Sequence, residues 1–295
     1  MTSPRVVVVG SLHYDVMVEA PDRPRKGETM VGRRWWPKCG GKGGNQAVEA
    51  ARAGAEVVMV GAVGPDNFGT ALLENLARAK VDHRPVRVVA GAASGMSVAI
   101  IDDSGDYGAV IVSGSNLTLG PDTLPADAFT GAGILILQNE IPEPANLAAA
   151  RLARAAGARV LLNAAPARPL ATALLALVDI LIVNAIEAEM LGAAPVVTLE
   201  DAARAAETLS RQAPTVIVTA GASGVAVHAR TKVPGTAFTL PALPITPQST
   251  HGAGDCFVGT LAAELAKGVA IKDAVSRANA AAANLVATPE DERGG

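Results

Sequence analysis

Aromatic side chains make up only 3% of the 295 residues. A core cannot then rest on large rings, so Ala, Val, Leu and Ile must fill it, and a hydrophobic content of 49% supplies enough of them. Cysteine is just as scarce. Cys39 and Cys256 lie far apart and show no paired spacing for zinc or a redox motif, which fits reduced thiols in a cytoplasmic protein. An excess of one charge is also missing: 25 Lys+Arg against 28 Asp+Glu leave a net −3, no footprint for a nucleic-acid partner. No apolar run approaches the roughly 18 residues needed to span a bilayer. The run after Arg5, Val6–Val9, is too short for a signal-peptide core. A cytoplasmic protein without membrane or nucleic-acid partners is expected.

What is present is alternation. Val6–Gly10 reads as a buried strand, Gly43–Ala53 as a helix, Glu56–Val60 as a strand and Asn67–Ala79 as a helix. After an interruption the pattern resumes with strand Ile134–Leu137, helix Pro144–Ala156, strand Arg159–Asn163, a helix near Leu170–Leu177 and strand Ile180–Val183. Helix Glu200–Ser210, strands Thr215–Thr219 and Val225–His228, and Ala-rich amphipathic helices Gly254–Lys267 and Ile271–Val286 complete it. Pro289–Gly295 is polar and expected to fray. Strands alternating with helices imply an α/β fold with a mostly parallel sheet covered on both faces. Val16–Trp36 and Val86–Val112 carry only β-like pieces. They are expected to form a small sheet, a lid on a single domain spanning 1–295, drawn from about 13–38 and 86–113.

Ligands of such sheets bind beyond the carboxyl ends of the strands, and four polar or glycine-rich clusters fall there. His13 and Asp15 follow the first strand two residues apart, hence on one face of an extended chain. Such a pair can hold vicinal hydroxyls; the plainer alternative is a turn Asp and a surface His. The dinucleotide pattern G-x-G-x-x-G is absent, which disfavours a dehydrogenase. Cys39-Gly-Gly-Lys-Gly-Gly-Asn-Gln46 leads into a helix, letting backbone approach a ligand, or simply making a tight connection. Gln138-Asn139-Glu140 follows another strand. Asn184 and Glu187, three apart at a helix start, could hold a hydrated Mg²⁺, but an N-cap Asn with a first-turn Glu explains them equally. In Thr250-His-Gly-Ala-Gly-Asp255, the amides of Gly252, Ala253 and Gly254 would converge at the positive end of a helix. That arrangement suits an anion, with Asp255 beside it to take a proton from a hydroxyl.

GGKGGNQA at 40–47 and STHGAGDCF at 249–257 resemble the two signatures of the ribokinase-like (PfkB) carbohydrate kinases. GETMVG at 27–32, NAAPAR at 163–168, NAIEAE at 184–189 and TAGASGV at 219–225 follow in the family's order, so the resemblance covers roughly 5 to 288. It implies ATP-dependent phosphorylation of a primary hydroxyl on a small sugar such as ribose, another pentose or a ketohexose. Asp255 then matches the catalytic base and Gly252, Ala253 and Gly254 the anion hole. His13, Asp15, Gly41, Lys42, Asn45 and Glu140 match sugar-binding positions. Asn184, Thr219, Gly221, Gly254 and Asn279 match the nucleotide site, and Glu187 with Asn184 the element that positions Mg²⁺ through water. The β excursion corresponds to the family's lid, often also a homodimer interface.

Three departures qualify the match. His13, a larger ring, stands where ribokinases have Asn at a position that touches the sugar, so the acceptor need not be ribose. Ser249 replaces an Asp that helps ligate potassium in ribokinases, and Ala287–Gly295 lacks the Gly-Ala and Ser motif that supplies further ligands. Weak or absent K⁺ activation is expected. Asn279 replaces a residue that lies against the adenine. The alternatives are a nucleoside kinase of the same family, which would need apolar or aromatic lid residues around a base, and a non-catalytic binding relative, against which the retained GAGD argues.

Overall fold

The computed structural model describes residues 5–104, 107–230, 237–289 and 293. In chain order the elements are β1 (Arg5–Val9), β2 (His13–Glu19), β3 (Arg34–Gly40), α1 (Lys42–Arg52), β4 (Glu56–Val63), α2 (Asn67–Arg78), β5 (Val86–Val88), β6 (Gly95–Ile101) and β7 (Tyr107–Val112). Then come β8 (Ile134–Leu137), α3 (Glu143–Ala155), β9 (Arg159–Asn163), α4 (Thr172–Leu175), β10 (Ile180–Asn184), α5 (Ala185–Met190) and α6 (Leu199–Leu209). The chain ends with β11 (Thr215–Thr219), β12 (Gly224–Ala229), β13 (Ala237–Pro241), α7 (Ala253–Ala266) and α8 (Ile271–Ala287).

The large sheet has the order β13-β12-β11-β10-β9-β8-β1-β4-β5. All neighbours from β11 to β5 are parallel, and β12 and β13 are antiparallel additions. Period-two alternation divides the strand side chains between two cores. Val7, Val9, Leu135 and Leu137 face the layer of α3 and α6, while Val6, Val8, Ile134 and Ile136 face α1, α7 and α8. Both faces are dry, so the strands read as unbroken apolar runs rather than alternating ones. Cys39 and Cys256 are free thiols; burial pushes Cys256 up to about 12, with Glu49 adding to the rise.

The small sheet has the order β3-β2-β6-β7, with β2 and β6 parallel and the outer pairs antiparallel. Its inward face carries His13, Asp15 and Ser97. Its outward face exposes Trp35, Val98, Val110 and Val112. Two clamps join it to the large sheet. The Asn116 carboxamide accepts from Leu12 N and donates to Leu12 O, both at 2.9 Å. Asp66, N-cap of α2, accepts from Ser94 N at 2.8 Å and Ser94 Oγ at 2.7 Å.

Several elements differ from the sequence reading. Val86–Val88 belongs to the large sheet, not the small one. It completes a β4-α2-β5 crossover beside β4, with Gly61 opposite Val86, as a strand directly after a helix does. The small sheet therefore draws its second segment from Gly95 onward. The helix expected near Leu170–Leu177 is the single turn Thr172–Leu175, because Pro166 and Pro169 hold the preceding chain extended. Strand β13 had no strong signal, since only Phe238 and Leu240 alternate in it. Of the tail expected to fray, only Pro289 and Arg293 lie within the described residues.

Candidate active site

The carboxyl ends of β1, β8, β10 and β11 open onto one crevice, closed from beyond by the starts of α1, α5 and α7. β1 is the switch point, with β4 on one side and β8 on the other. Close packing there is strict. A Cβ on Gly10, the residue after β1, would fall 2.0 Å from Gln138 Oε1 at the end of β8. Only glycine leaves Gln138 its place.

Asp255 stands in the first turn of α7, 8% exposed. Its Oδ2 accepts from Asn45 Nδ2 at 3.0 Å and its Oδ1 from Gln46 Nε2 at 2.8 Å. The Gln46 amide has one possible orientation, because its Oε1 accepts from Gln138 Nε2 at 2.7 Å. Asn146 Nδ2 in turn donates to Gln138 O at 2.7 Å. A chain of amides thus runs from α3 to the carboxylate and fixes its plane. Burial raises the Asp255 pKa; the Lys42 charge and the two amide donors pull it down, and Glu140 pushes it up. Gly252, the N-cap of α7, has φ +82°, a left-handed turn that a side chain would strain. Ala253 N makes a 3.3 Å turn bond to Thr250 O. Of the amides of Gly252, Ala253 and Gly254, those of Gly252 and Gly254 are the ones left without a main-chain acceptor among the described residues. A methyl group on Gly254 would meet no atom within 4 Å, so space lies in front of it.

Glu140 closes the other side. Its Oε2 accepts from Ser11 Oγ at 2.5 Å and from Lys42 N at 2.9 Å, with His13 Nδ1 3.9 Å away. One carboxylate oxygen thereby ties β1's exit to the N-terminus of α1, just after Gly41. Asp15 Oδ1 accepts from Ser97 Oγ at 2.5 Å, and burial raises its pKa against the pull of Ser97 and His13. The His13 ring is only 3% exposed and packs against Gly95; its Nε2 has no hydrogen-bond partner among the described residues. Asp15, Lys42, Asn45, Glu140 and Asp255 thus share one crevice, and His13 borders it from beneath.

The second half of the crevice is more open. Asn184 and Thr219 are direct neighbours at the ends of β10 and β11, and exposed Gly221 starts the turn beyond. Asn184 Oδ1 accepts from Glu187 N at 2.8 Å, and Glu187 Oε2 accepts from Asn184 N at 2.9 Å. The two make a capping box, which takes up the Asn184 oxygen. Glu187 is buried, and burial raises its pKa, with Lys42 lowering it and Asp255 raising it. Asn279 Nδ2 donates to Pro241 O at 3.0 Å and fastens α8 to β13. Gln46, Gln138 and Ser11 carry no assigned role in the sequence reading. Their signal was position, since each directly adjoins a glycine-rich or acidic cluster.

A mostly parallel sheet, a helix start with two amides lacking main-chain acceptors and a buried carboxylate beside them suit a small-molecule phosphotransferase. The comparisons agree. The description "pfkB family carbohydrate kinase" matches residues 3–292. The ribokinase of Bacillus subtilis is 35% identical over 94% of this chain and 91% of its own length. That of Mus musculus is 36% identical, over 94% and 87%. The structure of Arabidopsis thaliana ribokinase complexed with ribose and ATP superposes with a TM-score of 0.89 at 29% identity, covering 97% of this chain and 94% of the other. The chain belongs to the pfkB family of carbohydrate kinases. It is an ATP-dependent sugar kinase with the ribokinase fold.

Proposed function

We propose that the acceptor is a free pentose, ribose first, phosphorylated on its primary hydroxyl. The observation that carries this reading is Asp255, buried, held in one plane by Asn45 and Gln46, and set beside the two open amides of Gly252 and Gly254. Asp255 would orient the acceptor hydroxyl and take its proton as attack proceeds, while the amides hold the γ-phosphoryl oxygens. Asp15, Gly41, Asn45 and Glu140 would receive the remaining sugar hydroxyls. His13 borders this pocket with a bulkier ring than the Asn of ribokinases, so tolerance for larger sugars should be low. Lys42 fits the phosphate path better than a sugar hydroxyl, because its charge acts on both Glu187 and Asp255.

The nucleotide would lie along Asn184, Thr219 and Gly221. Mg²⁺ belongs to this reading, and when bound it neutralises phosphate charge. Glu187 suits a water-mediated hold on it: Oε2 caps α5, and burial, with the Asp255 charge adding to it, raises its pKa. Asn184, its oxygen already spent on the cap, suits that role less. No cluster of three or more His, Cys, Asp or Glu that could hold a metal exists among the described residues. An ion carried by phosphates and water needs none.

Closure of the small sheet would exclude water and limit ATP hydrolysis. Its apolar outward face supports a homodimer. No helix among the described residues is long and apolar enough to cross a membrane, and the cytoplasm, where ATP is plentiful, is the compartment proposed. A nucleoside acceptor is the second reading: the inward face offers polar His13, Asp15 and Ser97, but also exposed, apolar Ile111 directly opposite Ser97. The test is ADP release with Mg-ATP over pentoses, deoxypentoses, ketohexoses and nucleosides, with the product's phosphate position read by phosphorus NMR. Ribose stimulation giving a primary phosphomonoester supports the reading; stimulation by nucleosides alone overturns it.

A further inference from the structure

The two segments whose departures from ribokinases weaken the expected potassium site, around Ser249 and after Ala287, are joined by one side chain, Arg293. All three nitrogen atoms of the Arg293 guanidinium donate to main-chain carbonyls: Nε to Thr288 O at 2.9 Å, Nη1 to His251 O at 2.9 Å and Nη2 to Ser249 O at 2.7 Å. Two of these carbonyls belong to the turn that delivers Gly252, and the third to the residue after α8. Main-chain oxygens gathered from separate segments around one positive charge are how a protein binds a monovalent cation. Here the cation is covalently attached and permanently charged.

We infer that Arg293 is a built-in cation that sets the anion hole, a positioning residue for phosphoryl transfer. The route is a single peptide plane. The His251 carbonyl and the Gly252 N–H share one rigid peptide unit. Holding that oxygen on the guanidinium fixes where the N–H points, and polarising the carbonyl strengthens the N–H as a donor. The turn does not depend on Arg293 to stay in place, since Gln248 N also bonds Val286 O at 2.9 Å. Removing the guanidinium should therefore disturb the aim of Gly252 more than the fold. It should also vacate a site lined by carbonyl oxygens that a potassium or guanidinium ion can enter.

The inference rests on the kinase activity, and its test pairs a turnover readout with one that needs none. Wild type, Arg293→Ala and Arg293→Met are compared in tetramethylammonium, sodium, potassium and dilute guanidinium chloride at equal ionic strength. The wild-type kcat should agree within about twofold across all salts, and Arg293→Ala in tetramethylammonium should lose about tenfold or more in kcat with sugar KM nearly unchanged, as expected for a misaimed oxyanion donor. Potassium or guanidinium should restore at least about fivefold of that loss and raise the variant's thermal midpoint, but not that of wild type, because only the variant has a vacant site for the ion to bind. Arg293→Met, which keeps the aliphatic stem, should behave as Arg293→Ala does. Several-fold potassium activation of wild type would overturn the inference. So would full activity of both variants without potassium, or a loss that neither ion repairs. If no sugar turns over, the salt-specific shift in midpoint alone still decides it.

Discussion

Burial raises the pKa of Asp255, and Lys42, Asn45 and Gln46 each pull it back. Gln46 does so with its amide held by Gln138, whose Nε2 donates to Gln46 Oε1 and leaves Gln46 Nε2 facing the carboxylate. Gln46→Leu removes one donor from the carboxylate and strands Gln138 Nε2. We expect a loss of about 1–3 kcal/mol in stability and an acidic limb of kcat/KM displaced to higher pH, since a donor that favoured the charged form is gone. A limb that stays or moves down would contradict the relay. The raised value also bears on stability. A group whose folded pKa lies above its unfolded one stabilises fully below the unfolded value and loses that contribution as pH rises through the folded value. At pH 8 the apoprotein carries that handicap. Asp255→Asn should therefore melt at or above wild type there, the gap closing on acidification through the raised pKa; a clearly lower midpoint at pH 8 would count against it. Part of this site was legible: the glycines, Lys42, Asn45, Glu140 and Asp255 lie in marked local motifs. The amide relay was not, because Gln46 and Asp255 are 209 residues apart and meet only when α1 packs on α7.

At the scale of elements, α5 serves two purposes at one end. The Asn184–Glu187 capping box starts the helix, and the same turn faces the proposed nucleotide. Substitution can separate these. Asn184→Ala should cost about 1 kcal/mol of stability, and Asn184→Ser, which keeps a capping oxygen, much less. If the Asn184 side chain also touches nucleotide, both variants raise the KM for Mg-ATP; a KM that follows stability alone would reduce Asn184 to a cap. Helices and central strands were legible here because apolar periodicity is strong when both faces of a sheet are covered. Val86–Val88 escaped, since three residues fit either sheet and only pairing with β4 decides between them. The 170–177 helix was overestimated because its leucine spacing begins at Leu170, directly after Pro169, while the chain turns helical only at Thr172 and only as far as Leu175. The contact that Asn279 Nδ2 makes with Pro241 O was not legible, because it depends on β13, an element the pattern hardly marked.

Over the whole molecule, two sheets meet at Leu12 and Ser94, clamped respectively by buried Asn116 and half-buried Asp66. Movement of the small sheet about these points would open and shut the crevice. The sheet's outward face leaves Val110 70% and Trp35 65% exposed, a liability for a monomer in water. Val110→Glu should shift the mass measured by light scattering from dimer to monomer while leaving the thermal midpoint within a few degrees; a monomeric wild type would remove the dimer from the account. That the chain forms an α/β fold with a β-only excursion could be read from alternation and its interruption. The order of strands could not, because it depends on which crossover lies on which face. The most direct check of the central claim remains the carboxylate. With the preferred sugar and Mg-ATP, Asp255→Asn should lower kcat by at least ~10²-fold with ATP affinity little changed. A nearly normal rate at comparable affinity would contradict the assignment of Asp255 as base.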